Sequence, residues 1–224
     1  MNILIVSATT FEIAPVLKHL EEHSQKATFT FFEYGEHTVY PLVTGVGALN
    51  TAFSIARFSK LQEIDVAINV GVAGAYNDTL VKGQVVEVTK DKFADLGVEE
   101  ADGSFTDVYE MKLSDPNMFP YENGWISSKK DKYSTSFQKV QGLTVNKVHG
   151  TEQSISKVKA KYNADVETME GAGFFYACTM ADVHCLQLRS ISNMVEPRNR
   201  ANWAIDTAID HLNKALIKTL GELK

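Results

Sequence analysis

Glu12 and Glu170 are the residues of this sequence with the clearest chemical potential, because each follows an apolar run and precedes a helical pattern. A carboxylate at a helix start can simply complement the helix dipole, which contributes about 0.3–1 kcal/mol. The same position, beyond the carboxyl end of a strand, is where open α/β sheets bind small ligands. A carboxylate there can act as a general base or accept hydrogen bonds from a ligand. Both interpretations stay open for each glutamate.

The stretch 165–193 contains the second glutamate and predicts a β-α-β unit. Asp165–Thr168 has the pattern of a short strand, Met169–Ala181 that of a buried helix, and Val183–Ser192 the alternation of a strand. Such a unit puts Glu170 at the start of the helix and Asn193 just past the carboxyl end of the second strand. Both positions belong to the part of an α/β sheet where small ligands bind.

The rest of the chain alternates between strand and helix patterns. The predicted strands are Asn2–Val6, Ala27–Tyr34, Thr38–Thr44, Ile64–Val70, Gln84–Val88 and Leu143–His149, and the predicted helices are Phe11–Leu20, Ala48–Phe58, Ser154–Tyr162 and Trp203 to about Leu220. The stretch 99–136 predicts loops with short elements, which could form a lid or an oligomer contact. This order favours a single α/β domain over residues 1–224, built around a central sheet.

Composition excludes several classes of function. The net charge of −6 and the pI near 5.5 argue against nucleic acid as a partner, because no basic excess can neutralise phosphates. We expect no signal peptide and no membrane span, and hence a cytoplasmic protein. Cys178 and Cys185 predict buried free thiols rather than a disulfide framework. Because His, Cys and Asp do not cluster at ligand spacing, we expect no metal and no organic cofactor, and we interpret His149 as structural.

Several segments resemble the purine nucleoside phosphorylase and nucleosidase family. They are the first turn with Glu12, the segment Asn69–Gly74, the turn Met169–Gly171 and the strand end Arg189–Asn193. Their order is similar to that of methylthioadenosine/S-adenosylhomocysteine nucleosidases. Within the family, the chain resembles the futalosine hydrolases, which release hypoxanthine in an alternative menaquinone pathway, at Phe93–Gly97, Glu167–Ala172, Ile191–Asn193, Pro197-Arg198 and Trp203. The resemblance implies a three-layer α-β-α fold with a central mixed, twisted sheet, a nucleoside substrate, and a homodimer or larger homo-oligomer.

The resemblance also implies roles for individual residues. Breaking an N-glycosidic bond passes through an oxocarbenium-like sugar while charge builds on the base, so the site needs an activated water and hydroxyl anchors. Glu12 would be the general base on the water, and Glu170 would accept hydrogen bonds from the ribose hydroxyls. Met169 would pack against the sugar or the base. Arg189 would orient Glu12 and the water as a bidentate partner.

Asn193 is the residue that indicates which purine base the substrate contains. In the resembling nucleosidases that act on 6-aminopurines, the corresponding residue is an aspartate, which can protonate N7 of the purine. An asparagine cannot, but its amide offers one donor and one acceptor, which match the O6 and N7–H of a leaving 6-oxopurine. The residue therefore favours hypoxanthine or guanine over adenine, although a methylthioadenosine-type nucleosidase whose aspartate has drifted to asparagine stays open.

Glu12 and the glycine segment favour water over phosphate as the nucleophile. The phosphorylases of the family that this chain resembles have an arginine in the first strand-helix turn and anion-binding groups in the glycine segment. In this chain the first strand-helix turn contains the carboxylate of Glu12. The glycine segment, which includes Gly74, has the apolar side chain of Val72 in place of an anion-binding group. Phosphate beside Glu12 would be repelled. A phosphorylase and a nucleoside-binding protein without turnover are two further functions that the residues leave open.

The 5′ arm of futalosine carries an aromatic carboxylate, which requires an apolar slot and a cation. Arg198 and Arg200 are candidate cations, and Phe93 is a candidate wall of the slot. By the same resemblance, Trp203 is at the position of an aromatic residue that lies over the purine in the nucleosidases. A tryptophan at a helix start is also a common core anchor, so both interpretations stay open.

Overall fold

The computed structural model describes residues 1–127 and 132–223, so positions 128–131 of the predicted loop region lie outside the described part of the chain. The strands are β1 Asn2–Ser7, β2 Lys26–Ala27, β3 Phe32–Tyr34, β4 His37–Val43, β5 Val66–Ala75, β6 Val85–Phe93, β7 Gly97–Glu99, β8 Phe105–Asp107, β9 Ile126–Ser127, β10 Gln138–Thr144, β11 Val166–Thr168 and β12 His184–Met194. The helices are α1 Thr10–His23, α2 Ala48–Ala56, α3 Glu152–Lys161, α4 Gly171–Met180 and α5 Ile205–Glu222, with short 3-10 helices at Leu61–Glu63 and Arg200–Asn202.

The central sheet is mixed, and part of it closes on itself. Its strand order is β11-β10-β6-β12-β5-β1-β4-β3-β2, with β9 paired to β6, while β7 and β8 form a separate hairpin. β5 lies between β12 and β1 and is parallel to both. β11 also pairs with β5, in the antiparallel direction, so β5, β12, β6, β10 and β11 form a closed ring.

The outer edge of β5 has a gap between two neighbouring strands. β1 pairs with β5 as far as Asn69, and β11 pairs with it only at Gly74 and Ala75. In the described chain, the intervening residues of β5 have no strand partner on that edge, so their backbone groups are open to side chains. Because α1 follows β1 and α4 follows β11, the first residues of both helices reach this gap.

Helices cover both faces of the sheet, because successive strand residues alternate between two apolar cores. Ile3 and Ile5 of β1 point to the core that α1 and α5 cover, whereas Leu4 and Val6 point to the core that α2 and α4 cover. The predicted three-layer α-β-α arrangement around a mixed sheet is confirmed. Within the described ranges, no helix is both long enough and apolar enough to cross a membrane.

Several predicted elements differ from the structure. β11 runs antiparallel to β12 and is not its neighbour, so the predicted β-α-β unit is wrong as a parallel unit. The strand predicted at Leu143–His149 ends at Thr144, and the one predicted at Ile64–Val70 continues through the glycines to Ala75. The C-terminal helix begins at Ile205, two residues after Trp203. Cys178 and Cys185 are buried free thiols, as predicted.

Candidate active site

Glu12 caps the start of α1 and also contacts the backbone of β5. Its Oε2 accepts hydrogen bonds from the Thr9 amide at 3.1 Å, the Thr9 hydroxyl at 2.9 Å and the Ser7 hydroxyl at 3.2 Å, which completes a capping box at the start of α1. Its Oε1 accepts a hydrogen bond from the Val72 amide at 3.2 Å, in the β5 gap. The carboxylate is therefore fixed by the helix start and presented to the gap at the same time.

Asn213 of α5 supports the backbone that carries this carboxylate. Its Nδ2 donates to the Glu12 carbonyl at 2.8 Å, and its Oδ1 accepts from the Val16 amide at 3.0 Å. The amide of Asn213 thus bridges one turn of α1, in a helix that also contains Pro15. Because Asn213 is 2% exposed, water does not compete for these bonds. α5 therefore helps to set the direction of Glu12.

Glu170 lies at the N-cap of α4, as predicted, but its side chain makes no capping hydrogen bond. Its Oε1 accepts from the Gly47 amide at 3.1 Å, and its Oε2 lies 3.6 Å from Nη1 of Arg189. Gly47 has φ 103°, which favours glycine and turns the loop before α2 so that this amide faces the carboxylate. Glu170 is 6% exposed and its charge is paired, which satisfies the requirement for burying a carboxylate.

Arg189 pairs with a different carboxylate from the one that we predicted. Its Nε and Nη2 donate to Oε1 of Gln187 at 3.3 and 3.0 Å, Nη2 also donates to Oδ1 of Asn69 at 3.1 Å, and Nη1 faces Glu170. The predicted bidentate pairing with Glu12 is therefore wrong. The physical reason is the register of β12, which places Arg189 opposite Gly71. A side chain at 71 would overlap Nη1 of Arg189 and lie 2.9 Å from Oε1 of Glu12, so both groups converge on this glycine.

Asp91 and Gln187 continue this buried network into the ring of strands. Gln187 Nε2 donates to Oδ2 of Asp91 at 3.2 Å, and the Thr144 hydroxyl donates to Oδ1 at 2.8 Å. Burial, opposed by these hydrogen bonds and by the charge of Arg189, raises the pKa of Asp91 from 3.8 to about 6. No sequence pattern pointed to this network, because its members come from different strands and share no spacing.

The raised pKa of Asp91 predicts that the protein loses stability as the pH rises. The protonated carboxyl stabilises the fold fully below pH 3.8, and this contribution is lost as the pH rises through about 6. Relative to Asp91→Asn, the free energy of unfolding of the wild-type protein should fall by about 2 kcal/mol between about pH 4 and about pH 7. Urea unfolding at a series of pH values measures this difference. A difference that does not change with pH would contradict the prediction.

Gly171 is a close contact between α4 and the buried network. A Cβ at this position would overlap Oδ2 of Asp91 and Oε1 of Gln187. We expect Gly171→Ala to lower the free energy of unfolding by about 1–3 kcal/mol, because the neighbouring side chains are themselves held in place. Gly221→Ala is the matched control, since a Cβ there meets no atom within 4 Å. Equal unfolding midpoints for the two variants would show that the contact is not restrictive.

Asn193 lies in β12, at a bulge, and lines a pocket next to the gap. Its Oδ1 accepts from the Ser192 hydroxyl and its Nδ2 donates to the Met194 carbonyl, both at 2.8 Å, which leaves one acceptor site and one donor of the amide for a ligand. Nδ2 lies 3.3 Å from the position that a Cβ would have at Gly74. Gly74 is two residues along β5 from the contact of Glu12 with Val72, a distance of roughly 7 Å along the strand.

The pocket beside Asn193 brings together some of the predicted binding residues but not all of them. It is lined by Gly74, Val148, His149, Glu167, Asn193, Val195, Glu196, Arg198 and Trp203. Arg198 lies 5.1 Å from the centre of the Trp203 ring, at the same end of the site as Asn193. These contacts do not test the role on the 5′ arm that we predicted for Arg198, which stays a prediction.

Met169 and Phe93 lie apart from this pocket lining. Met169 is half-buried directly before Glu170, and Phe93 ends β6 and packs against the core that α2 and α4 cover. These contacts do not connect them to the pocket, so their predicted roles stay predictions. Sequence reasoning missed Glu167, which lies three residues before Glu170 and lines the pocket, and it interpreted the neighbouring His149 as structural.

Comparisons with known proteins agree with this architecture. Residues 2–223 match the Phosphorylase superfamily. The futalosine hydrolase of Thermus thermophilus is 30% identical over 183 residues, which cover 81% of this chain and 80% of that protein. A 5′-methylthioadenosine/S-adenosylhomocysteine nucleosidase of Bacillus cereus is 23% identical over the full length of both chains.

A solved structure extends the likeness to the fold. The native structure of futalosine hydrolase from Helicobacter pylori superposes with a TM-score of 0.80, at 14% identity, over 100% of this chain and 98% of that one. At such low identity this match supports the shared fold alone. Together with the family match over nearly all residues, these findings show that the chain belongs to the phosphorylase superfamily.

Proposed function

We propose that this protein is an N-glycosyl hydrolase that cleaves futalosine into hypoxanthine and dehypoxanthine futalosine. The relative from Thermus thermophilus is named futalosine hydrolase. The main supporting observation is the pair of groups along β5. The Glu12 carboxylate contacts Val72 in the gap, and the Asn193 amide lies beside Gly74 in the adjoining pocket. The carboxylate can activate water and the amide can bind a 6-oxopurine. Their spacing, two residues along one strand, matches the separation between the sugar and the base of a nucleoside.

The sugar end of the reaction requires a base for water and an anchor for ribose. Glu12 accepts the proton of the attacking water as the bond from C1′ to the base breaks, and its hydrogen bond with Val72 fixes the direction of the carboxylate. Glu170 accepts hydrogen bonds from the ribose hydroxyls, and Met169 packs against the sugar. Arg189 keeps the charge of Glu170 paired, so that two carboxylates can approach one oxocarbenium-like sugar.

The base end of the reaction requires recognition of a 6-oxopurine. The free donor of the Asn193 amide matches O6, and its free acceptor matches N7–H. Trp203 covers the purine ring, since it lines the same pocket. An adenine would oppose its exocyclic amine to the amide NH₂ group. Such buried mismatches can reduce the turnover of the wrong substrate by orders of magnitude.

Hydrolysis is favoured over phosphorolysis by the charge at the gap. Glu12 directs its Oε1 to the backbone amide of Val72, one of the amides that an anion would otherwise use. A phosphate brought to this place would face the carboxylate at short range. Neutral water meets no such repulsion, and it is therefore the nucleophile in this proposal.

A substrate panel tests the proposal. The protein is incubated with futalosine, inosine and methylthioadenosine in phosphate-free buffer, and released hypoxanthine and adenine are separated by chromatography. We expect the highest kcat/KM for futalosine and no increase when phosphate is added. Faster turnover of methylthioadenosine would favour the second candidate, a methylthioadenosine nucleosidase, which the full-length similarity to the Bacillus cereus enzyme supports. Dependence on phosphate would favour a phosphorylase, and binding without turnover would indicate a nucleoside-binding protein.

The proposal extends to a single-domain, cytoplasmic homo-oligomer that uses neither a metal nor an organic cofactor. Leu49 and Phe53 lie four residues apart on α2 and are 81% and 62% exposed, and Phe11 beside Glu12 is 61% exposed. Exposed apolar residues of this size near a site indicate a surface for another protein chain. Sedimentation velocity should give at least the mass of a dimer. A monomer at micromolar concentration would contradict this part of the proposal.

A further inference from the structure

Three side chains beside Asn193 have no part in the chemistry described so far. Glu167 is 4% exposed, and its Oε1 accepts from the backbone amide of His149 at 3.1 Å. Its Oε2 contacts both the hydroxyl of Tyr76 and Nδ1 of His149 at short range. His149 and Glu167 both line the pocket that Asn193 lines. A histidine paired with a buried carboxylate, at a pocket, has the composition of a proton-transfer unit.

The hydrogen bonds define which nitrogen of His149 faces the pocket. Burial, followed by the charge of Glu167, raises the pKa of Tyr76, so this hydroxyl keeps its proton and donates it to the carboxylate. A carboxylate can only accept, and Nδ1 of His149 therefore carries a proton as well. In the described chain the ring contacts of His149 all involve Nδ1, so Nε2 is the nitrogen that remains for a ligand in the pocket.

The proposed reaction lacks a proton donor at this place. When the bond between C1′ and N9 breaks, its electron pair passes to the purine, and a 6-oxopurine leaves more readily if N7 receives a proton. The Asn193 amide cannot supply it. Arg198 does not release a proton in proteins, and Glu167 and Glu196 already accept hydrogen bonds. Among the described residues that line the pocket, His149 is the group whose ring contacts leave a nitrogen, Nε2, free to take up a proton from solvent and to pass it on.

We infer that His149 is the general acid for the departing base and that Glu167 is its positioning residue, an inference that rests on the proposed function. The imidazolium donates its Nε2 proton to N7 as the C1′–N9 bond breaks, and Oδ1 of Asn193 accepts the resulting N7–H. Water adds its hydroxyl group to C1′ and gives its other hydrogen, as a proton, to Glu12. Transfer of this proton from Glu12 through solvent to His149 restores the starting state, so one water is consumed in each turnover.

Two substrates with different leaving groups test this inference. Futalosine, or whichever purine nucleoside the wild-type protein hydrolyses best, needs a protonated leaving group, whereas 4-nitrophenyl β-D-ribofuranoside releases a stable phenolate without one. We expect His149→Gln to lower kcat on the purine nucleoside by at least about 100-fold, and to change kcat on the nitrophenyl riboside by less than about threefold. Equal losses on both substrates, or no loss on either, would overturn the inference.

Two further variants separate proton transfer from structure. Glu167→Gln removes the charge that fixes the imidazole, and it should lower kcat on the purine nucleoside while leaving KM and the nitrophenyl reaction nearly unchanged. His211→Gln is the matched control, because Nδ1 of His211 also bonds a fixed oxygen, the Gly83 carbonyl at 2.7 Å, in another part of the fold. This control should leave both reactions unchanged.

A measurement on the wild-type protein covers the case in which the His149 variant does not fold. Ring ¹⁵N chemical shifts should show His149 protonated at Nδ1, with an Nε2 signal that shifts when hypoxanthine is added. An Nε2 signal that does not respond to hypoxanthine overturns the inference. Failure of this inference can be distinguished from failure of the proposed function. If the protein prefers adenine nucleosides, the proposed substrate is wrong, but the comparison with the nitrophenyl riboside still tests the role of His149.

Discussion

Replacing Glu12 with glutamine is expected to lower kcat on futalosine by about 10³-fold while KM changes by less than about threefold. Glutamine keeps the size of the side chain but cannot take a proton from water. Stopped assays of hypoxanthine release measure the effect. Glu21→Gln, an exposed change on the same helix, is the matched control and should leave kcat unchanged.

The structural role of Glu12 requires a separate measurement. The capping box with Thr9 makes a second contribution at this position, and its weakening should cost about 1 kcal/mol of stability. Thermal unfolding of the variant sets the temperature range in which the assays report on the folded protein. If the folded variant retains wild-type kcat, Glu12 is a helix cap only, and the proposed mechanism has lost its base.

Replacing Asn193 with aspartate should change the preference between bases by about 10³-fold, measured as the ratio of kcat/KM for futalosine and methylthioadenosine. The carboxylate removes the NH₂ donor that faces O6 of a 6-oxopurine. In its protonated form it can donate to N7 of adenine, and it no longer opposes the exocyclic amine. Activity on futalosine should therefore fall while activity on methylthioadenosine rises.

Asn163→Asp is the control for this prediction, because it makes the same chemical change at an exposed position after α3. It should leave the ratio of the two kcat/KM values unchanged. If Asn193→Asp also leaves this ratio unchanged, the amide does not read the base, and the assignment of a 6-oxopurine substrate fails. Loss of both activities in equal proportion would lead to the same conclusion.

The sequence predicted the type and order of most elements near the gap correctly. β1, α1, α2 and α4 lie within a few residues of their predicted bounds, because their apolar periodicity matches the faces that they bury. The sequence was less successful where a strand continued through a change of pattern. The glycine segment after Val70 was predicted as a strand end, yet β5 continues through it to Ala75 by pairing with β12 and β11.

Residue types alone therefore determined the fold class and the chemical groups of this site: a carboxylate after the first strand, another at the start of α4, and an amide near the end of β12. Which of these groups meet depends on contacts between elements that are distant in sequence. The register of β12 across Gly71 pairs Arg189 with Glu170, and the closed ring of strands brings His149 and Glu167 to the pocket of Asn193. The physical reason is that local periodicity records which face of an element is buried, whereas strand register and ring closure depend on partners distant in sequence.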